Sequence, residues 1–265
     1  MGTHKFNSWH DYVLAANEPR STKHEYRDSE THKADKSWDA GLGLEGALEM
    51  AVNGWDSIRP NITKLTDSIT DDLKDTLMDT FRSVYDVAGS TVDIGRYMAG
   101  EPENMVTVLP VQESTVGRVV TILVNAAFNC GVDAVDIQRR GVAICALVEC
   151  LALMQHETEI WSEMTVTADG LVHTELIKLK AAGDPLDIPE LMFCIAHPAS
   201  LRRVSFRYME TLDDMKRIGA GYGSPHNLTC GELVGANIKL DQLYGGFDDA
   251  EHWVREHLLK FGLLG

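Results

Sequence analysis

The sequence predicts an α/β fold: a central mixed sheet flanked by helices, with an N-terminal helical extension. Three observations predict it. The run Val119-Val120-Thr121-Ile122-Leu123-Val124 is continuously apolar and largely β-branched, as a strand buried on both faces is. The stretch Val142 to Met154 is apolar almost all round, so its helix is deeply packed. Ala168-Asp169-Gly170 separates two alternating segments, and Asp-Gly is a strong hairpin signal.

The elements follow in order. Asn7 to Ala16 reads as a helix capped by Ser8 or Asn7, with Trp9, Val13 and Leu14 on one face. The polar stretch Asn17 to Lys36 predicts a mobile linker. A helix begins at Ser37 and ends at Asn53-Gly54, since glycine commonly follows a helix. Ile62, Leu65, Ile69, Leu73 and Leu77 recur at helical spacing. Phe81 to Val87, Met105 to Val111 and Arg118 to Asn125 read as strands. A helix of about six turns spans Asp133 to Gln155. Glu159 to Thr167 and Leu171 to Leu179 form the hairpin. Ile188 to Ala196 is helical, and Pro198 ends or restarts a helix reaching Leu201. The alternation of Val204, Phe206 and Tyr208 predicts a last central strand over Arg203 to Glu210. Gly219 to Pro225 is a loop, and Asp248 to Phe261 closes the chain as an amphipathic helix. The domains expected are 1–36, a helix and linker, and 37–265, one α/β domain. The latter divides into a helical layer (37–80), a sheet core (81–210) and a C-terminal loop and helix (211–265).

Composition bounds the function. The net charge of −16 over 265 residues opposes broad binding to nucleic acid or anionic membrane. The acidity concentrates between Asp39 and Asp79. Five cysteines, an odd number without C-x-x-C spacing, predict a reduced cytosolic protein. The polar N-terminus predicts no signal peptide, and Phe6 occupies the place where a myristoylation signal wants Ser or Thr. No apolar run approaches the roughly 20 residues of a membrane span.

The order strand, helix, strand, hairpin strand, helix, strand, helix is similar to the von Willebrand factor A-type domain, in which ligands gather at the carboxyl ends of the strands. Its metal motif reads Asp-x-Ser-x-Ser straight after the first central strand, with oxygen ligands suited to magnesium. Here the loop is Asn125-Ala126-Ala127-Phe128-Asn129. Asn125, Ala127 and Asn129 stand where the ligands would be, so the expectation is a strand-end loop held by amide hydrogen bonds, with no metal and no cofactor.

Other chemistry is weakly signalled. Gly219-Ala220-Gly221-Tyr222-Gly223 lacks the lysine of a phosphate cradle. The ten histidines form no zinc pattern, and His197-Pro198 reads as a helix junction. Cys130 is the thiol placed to be exposed at the strand end, but no histidine neighbours it in sequence. These features predict no enzyme.

One strip interleaves cations and aromatics: Arg202, Arg203, Phe206, Arg207 and Tyr208, with Lys216, Arg217 and Tyr222 beyond. Single-stranded nucleic acid is held by that combination. The competing reading turns Phe206 and Tyr208 into the core and pairs the arginines with acids such as Asp213 and Asp214.

From about Trp38 onward the chain resembles a family of tailed-bacteriophage proteins. The matching segments are Asn53-Gly54-Trp55, Gly100-Glu101-Pro102-Glu103-Asn104-Met105, Arg139-Arg140-Gly141-Val142-Ala143-Ile144 and His197-Pro198-Ala199-Ser200-Leu201-Arg202-Arg203, with the Gly221-Tyr222-Gly223 loop. The resemblance implies a von Willebrand A-like core with a decayed metal motif and no catalytic role. It is narrower still to the single-stranded-DNA-binding transcription factor of N4-like phages, which recruits the phage heterodimeric RNA polymerase. That implies an accessory factor of the host cytoplasm whose partners are phage RNA polymerase or another phage or host protein, and single-stranded DNA. The rival expectation is a protein–protein adaptor without nucleic-acid contact.

Overall fold

A computed structural model of the chain describes residues 2–22, 28–78, 81–110, 118–168, 170–213 and 222–262. The chain opens with β1 (Thr3–Phe6), α1 (Trp9–Asn17) and α2 (Asp28–Thr31), then α3 (Leu44–Asn53) and α4 (Arg59–Met78). An excursion follows, made of β2 (Phe81–Asp86), β3 (Thr91–Val92), α5 (Ile94–Met98) and β4 (Met105–Pro110). The central unit is β5 (Val119–Asn125), α6 (Ala134–Leu153), β6 (Glu157–Ala168) and β7 (Leu171–Lys180). Next come α7 (Ile188–Ala196), a π-helical turn (Ser200–Ser205) and α8 (Phe206–Thr211). The chain then forms β8 (Ser224–Pro225), α9 (Gly231–Val234), β9 (Ile238–Leu240) and α10 (Ala250–Lys260).

The central sheet has the order β1-β7-β6-β5-β9, with β8 on β6. β5 runs parallel to β6 and to β9, β7 returns antiparallel along β6, and β1 adds parallel to β7. The β-branched run of β5 therefore occupies the buried, doubly paired position its composition predicts. Alternation assigns the faces. Ile122, Val124, Ile160 and Ile177 pack with α1, α3, α4, α6, α7 and α10. Leu123, Trp161 and Leu176 face the other way, under Leu228, Cys230, Val234 and Ala236.

Helix α6 is buried along most of its length, as its all-round apolar sequence requires. Gly141 lets it cross α7 closely: a Cβ there would lie 2.0 Å from Ala196 Cβ. Gly54, at φ 79°, ends α3 against Pro189. The Trp55 amide then donates to the Pro189 carbonyl at 2.9 Å, and its ring meets His197 edge-on at 4.7 Å. Gly54, Trp55, Gly141 and His197 thus pack along α7 and at its end, where they serve architecture.

The structure corrects several expectations. Arg203 to Glu210 is not a strand but the end of the π-turn and most of α8. Both faces of this segment are buried. Val204 and Tyr208 enter the main core, while Leu201 and Met209, with half-buried Phe206, pack beneath the strand-end loop. Two apolar helix faces imitate strand alternation. The last central strand is instead β9, only three residues long. The strands at 81–86 and 105–110 do not join the central sheet but form their own, ordered β2-β4-β3. The N-terminal 36 residues are no detached extension, because β1 extends the sheet, α1 enters the core, and Ser29 in the expected linker is fully buried.

Candidate functional site

Of the cations expected on a nucleic-acid strip, Arg202 and Arg203 face inward. Arg202 and Arg203 are 2% and 0% exposed. Arg202 donates to the carbonyls of Trp38, Asn129 (3.1 Å) and Val132 (2.7 Å). Arg203 donates to Asp39 Oδ2 from Nε and Nη2 at 3.1 and 2.5 Å, and to the carbonyls of Ser29, His32 and Leu42. The cation–aromatic interleaving is real, but its aromatic is internal: both guanidinium groups lie over the Trp38 ring, at 5.4 and 5.6 Å. Burial lowers the Arg202 pKa to about 10. The single turn of α2 and the irregular backbone from 32 to 42 leave carbonyls that need donors, and the arginine forks satisfy them.

The neighbours are also engaged. Arg207 donates to the Glu18 carbonyl at 3.1 Å and lies 3.6 and 3.9 Å from Glu30 and Glu210 carboxylate oxygens. Tyr208 is buried, its hydroxyl 2.9 Å from His4 Nδ1. Tyr222 stacks on Phe206 at 3.9 Å and donates to Glu210 at 2.6 Å. Burial, reinforced by Glu210, raises the Tyr222 phenol pKa. Asp213, expected as an arginine partner, accepts from Ser21 Oγ at 2.6 Å. Lys216, Arg217 and Asp214 lie outside the described residues. The strip as proposed is therefore corrected: of its described members, Arg202, Arg203 and Tyr208 cannot meet a ligand from solvent.

The strand-end loop is held by its amides. Asn125 Nδ2 donates to the His226 carbonyl at 2.9 Å, and its Oδ1 accepts from the Ala127 amide at 2.9 Å. Asn129 Oδ1 accepts from the Gly131 amide at 3.0 Å and the Cys130 thiol at 3.5 Å. Ala127 is buried, while Cys130 is exposed. Arg140 fills the space beneath with a guanidinium that donates to the carbonyls of Asn125, Leu240 and Asp241 at 3.1, 3.1 and 2.7 Å. Burial lowers its pKa to about 10. This fixed cation ties the carboxyl ends of β5 and β9 together, and it would repel a metal ion. Among the described residues, no group of three or more His, Cys, Asp or Glu is placed to hold one.

Sequence reading missed three buried carboxylates, each a hub. Glu163 accepts from the Thr229 amide and hydroxyl, both at 2.7 Å, the Cys230 amide at 2.9 Å and the Thr165 hydroxyl at 2.8 Å. Glu210 accepts from the Ser29 amide and hydroxyl and from Tyr222. Glu175 accepts from Tyr12 Oη at 2.5 Å and lies 3.1 Å from His173 Nε2. Desolvation raises the Glu175 pKa. Acids this numerous give no sequence signal, because their partners come from distant chain. A cavity of about 250 Å³ is lined by other residues, among them Leu179, Lys180, Asp184, Asp187 and Glu190.

Two exposed features were also missed. Tyr244 stands exposed at the sheet's carboxyl end, its hydroxyl donating to Asn227 Oδ1 at 2.7 Å and accepting from Gln242 at 2.6 Å. On α5, Ile94, Tyr97 and Met98 are all largely exposed. Their i, i+3, i+4 spacing was legible, but five residues are too few for periodicity to register.

A family model described as "Domain of unknown function (DUF7192)" matches residues 2–265. No curated protein and no solved structure matches the chain. No helix of the described residues is long and apolar enough to cross a membrane.

Proposed function

For this chain, which belongs to the DUF7192 family, we propose a non-enzymatic accessory role, as a protein–protein adaptor built on a degenerate von Willebrand A-like domain. The observation that carries this reading is the direction of the arginines. Arg140, Arg202 and Arg203 are all spent on internal carbonyls or Asp39, while the chain keeps a net charge of −16. Three arginines turned inward and an acidic net charge favour a protein partner over phosphate. The strand order β7-β6-β5-β9, with β7 alone antiparallel among the four, supports the von Willebrand A-like reading. The phage-type segments quoted above support a tailed-phage protein acting in the host cytoplasm.

The test is a pull-down with the full chain, paired with filter binding of single-stranded DNA. The adaptor reading expects a stoichiometric protein partner and no DNA retention at low salt. DNA retention without a protein partner sinks it.

A second reading, the single-stranded-DNA-binding transcription activator that recruits phage RNA polymerase, rests on a different sheet face. Exposed Lys5 and half-buried Lys178 flank the buried Trp161 ring at 5.0 and 4.7 Å, with Lys178 also 3.7 Å from Glu159, so the ammonium groups and not the ring would meet a phosphate backbone. Salt-dependent retention of DNA that weakens on Lys5→Ala and Lys178→Ala substitution would favour it.

A further inference from the structure

The excursion between α4 and β5 folds as a small sheet of its own. Among its described side chains, from 84 to 107, none is buried. Its elements pack chiefly on each other, β2 and β3 on either side of β4. A three-stranded sheet gains its stability from an apolar face that something covers. Here one piece of cover is internal: Arg96 of α5 lies over the Tyr85 ring at 4.0 Å, and its Nε donates to Glu101 at 2.6 Å.

That contact fixes how α5 is presented. Asp93 caps its first turn by accepting from the Arg96 amide at 3.1 Å, and Gly100, at φ 75°, turns the chain away after it. Asn104 Nδ2 closes the turn on the Glu101 carbonyl at 2.6 Å. With Arg96 held over Tyr85, Ile94, Tyr97 and Met98 are left 74%, 63% and 79% exposed. Three large apolar side chains at i, i+3 and i+4 on a capped helical turn have the spacing of the anchors in helix-in-groove recognition.

The charges around them select the occupant. Arg96 is engaged by Glu101, while Asp86 and Glu103 stand exposed nearby in sequence. A second copy of the chain would bring another −16 to the contact, and membranes and nucleic acids are also anionic. We propose that Ile94, Tyr97 and Met98 dock into an apolar cleft, rimmed by lysine and arginine, on a different protein. This rests on the adaptor reading and names the surface it uses.

The test places the photoreactive residue p-benzoylphenylalanine at position 97 of the full chain in its native cell, with the cross-linked peptide identified by mass spectrometry. The expected product joins position 97 to a peptide of another protein, from an apolar surface flanked by Lys or Arg. Its yield should fall at least about tenfold with Ile94→Asp and Met98→Asp, and, on irradiation of the lysate instead, fall between about 50 and 500 mM salt. Both substituted side chains are exposed, so the melting temperature should not move. A cross-link to the chain itself or to nucleic acid, no cross-link, or a yield indifferent to both substitutions overturns the proposal. A parallel pull-down separates the two failures. A partner retained equally by wild type and Ile94→Asp/Met98→Asp rejects the α5 surface and keeps the adaptor. No partner for the wild type rejects both.

Discussion

Arg203 and Asp39 form a buried ion pair across 164 residues of chain, with guanidinium and carboxylate 1% and 0% exposed. Asp39 Oδ1 also accepts from the Asp35 and Gly41 amides, both at 2.9 Å, so the carboxylate anchors a turn as well as a charge. The pair stitches α2, the 35–41 turn and the π-turn into one unit.

Removing one partner leaves the other charged and desolvated. Asp39→Asn and Arg203→Met should each cost about 3–5 kcal/mol, and the double variant less than the sum. Urea denaturation measures this. A single-variant loss below about 1 kcal/mol would mean that the pair behaves as a surface contact and that Arg203 is accessible after all.

The α6–α7 crossing predicts a second cost. A methyl at position 141 would overlap Ala196 on both Cβ and Cα, at 2.0 and 2.4 Å. The helices must then separate, opening the core around Cys145 and Cys194. Gly141→Ala should lose about 1–3 kcal/mol despite its better helix propensity. A rise in melting temperature would show that propensity wins and the crossing is looser than described.

These two sites show what the sequence disclosed. The β5–α6–β6–β7 unit was legible because its signals are local: a β-branched run, an all-round apolar helix, an Asp-Gly turn. The amide-held loop after β5 was legible because Asn125 Oδ1 and Asn129 Oδ1 each accept from an amide two residues on, although Asn125 Nδ2 also reaches distant His226. What failed were choices made by distant chain. Arg202 and Arg203 look like a ligand strip until Trp38 and Asp39 arrive from 164 residues away to receive them. β9 was hidden by its length, since Ile238-Lys239-Leu240 offers a single period of alternation. It is a strand because β5 offers it a parallel edge.

His197 makes stability depend on acid. It caps the end of α7, with Nδ1 accepting from the Ala199 amide at 3.2 Å, its ring stacked on Phe193 at 5.4 Å and met by Trp55. Burial lowers its pKa from 6.5 to about 4. Below 6.5 the unfolded chain binds a proton that the folded chain refuses, so this contribution is full above 6.5 and is lost as pH falls through about 4. The whole effect is about 3 kcal/mol. His197→Asn keeps an acceptor without the titration, so its stability should fall less between those limits. Parallel slopes for both proteins in urea melts across that range would remove His197 as the cause.

Glu163 is the latch of the second sheet face. It sits in β6 opposite Asn125, and all of its acceptor capacity faces the Thr229–Cys230 corner and Thr165. That corner leads into α9, which covers Leu123, Trp161 and Leu176. Glu163→Gln keeps the shape but replaces one accepting oxygen by an NH₂, which faces the Cys230 amide at the Oε2 position or the Thr229 amide at the Oε1 position, donor against donor. Hydrogen bonds to a charged group contribute about 1.5–3 kcal/mol, and the corner should open by roughly that margin without global unfolding. Cys230, buried beneath it, reports the opening. In a Cys130→Ser background, which removes the exposed thiol, alkylation of Cys230 under native conditions should accelerate about tenfold or more. Cys145, Cys150 and Cys194 should stay protected, because they belong to the helix-side core that Glu163 does not hold. An unchanged Cys230 rate would mean that the corner is held by the packing of Leu228 and Val234 alone, and acceleration at all four thiols would mean that Glu163 supports the whole fold rather than this cover.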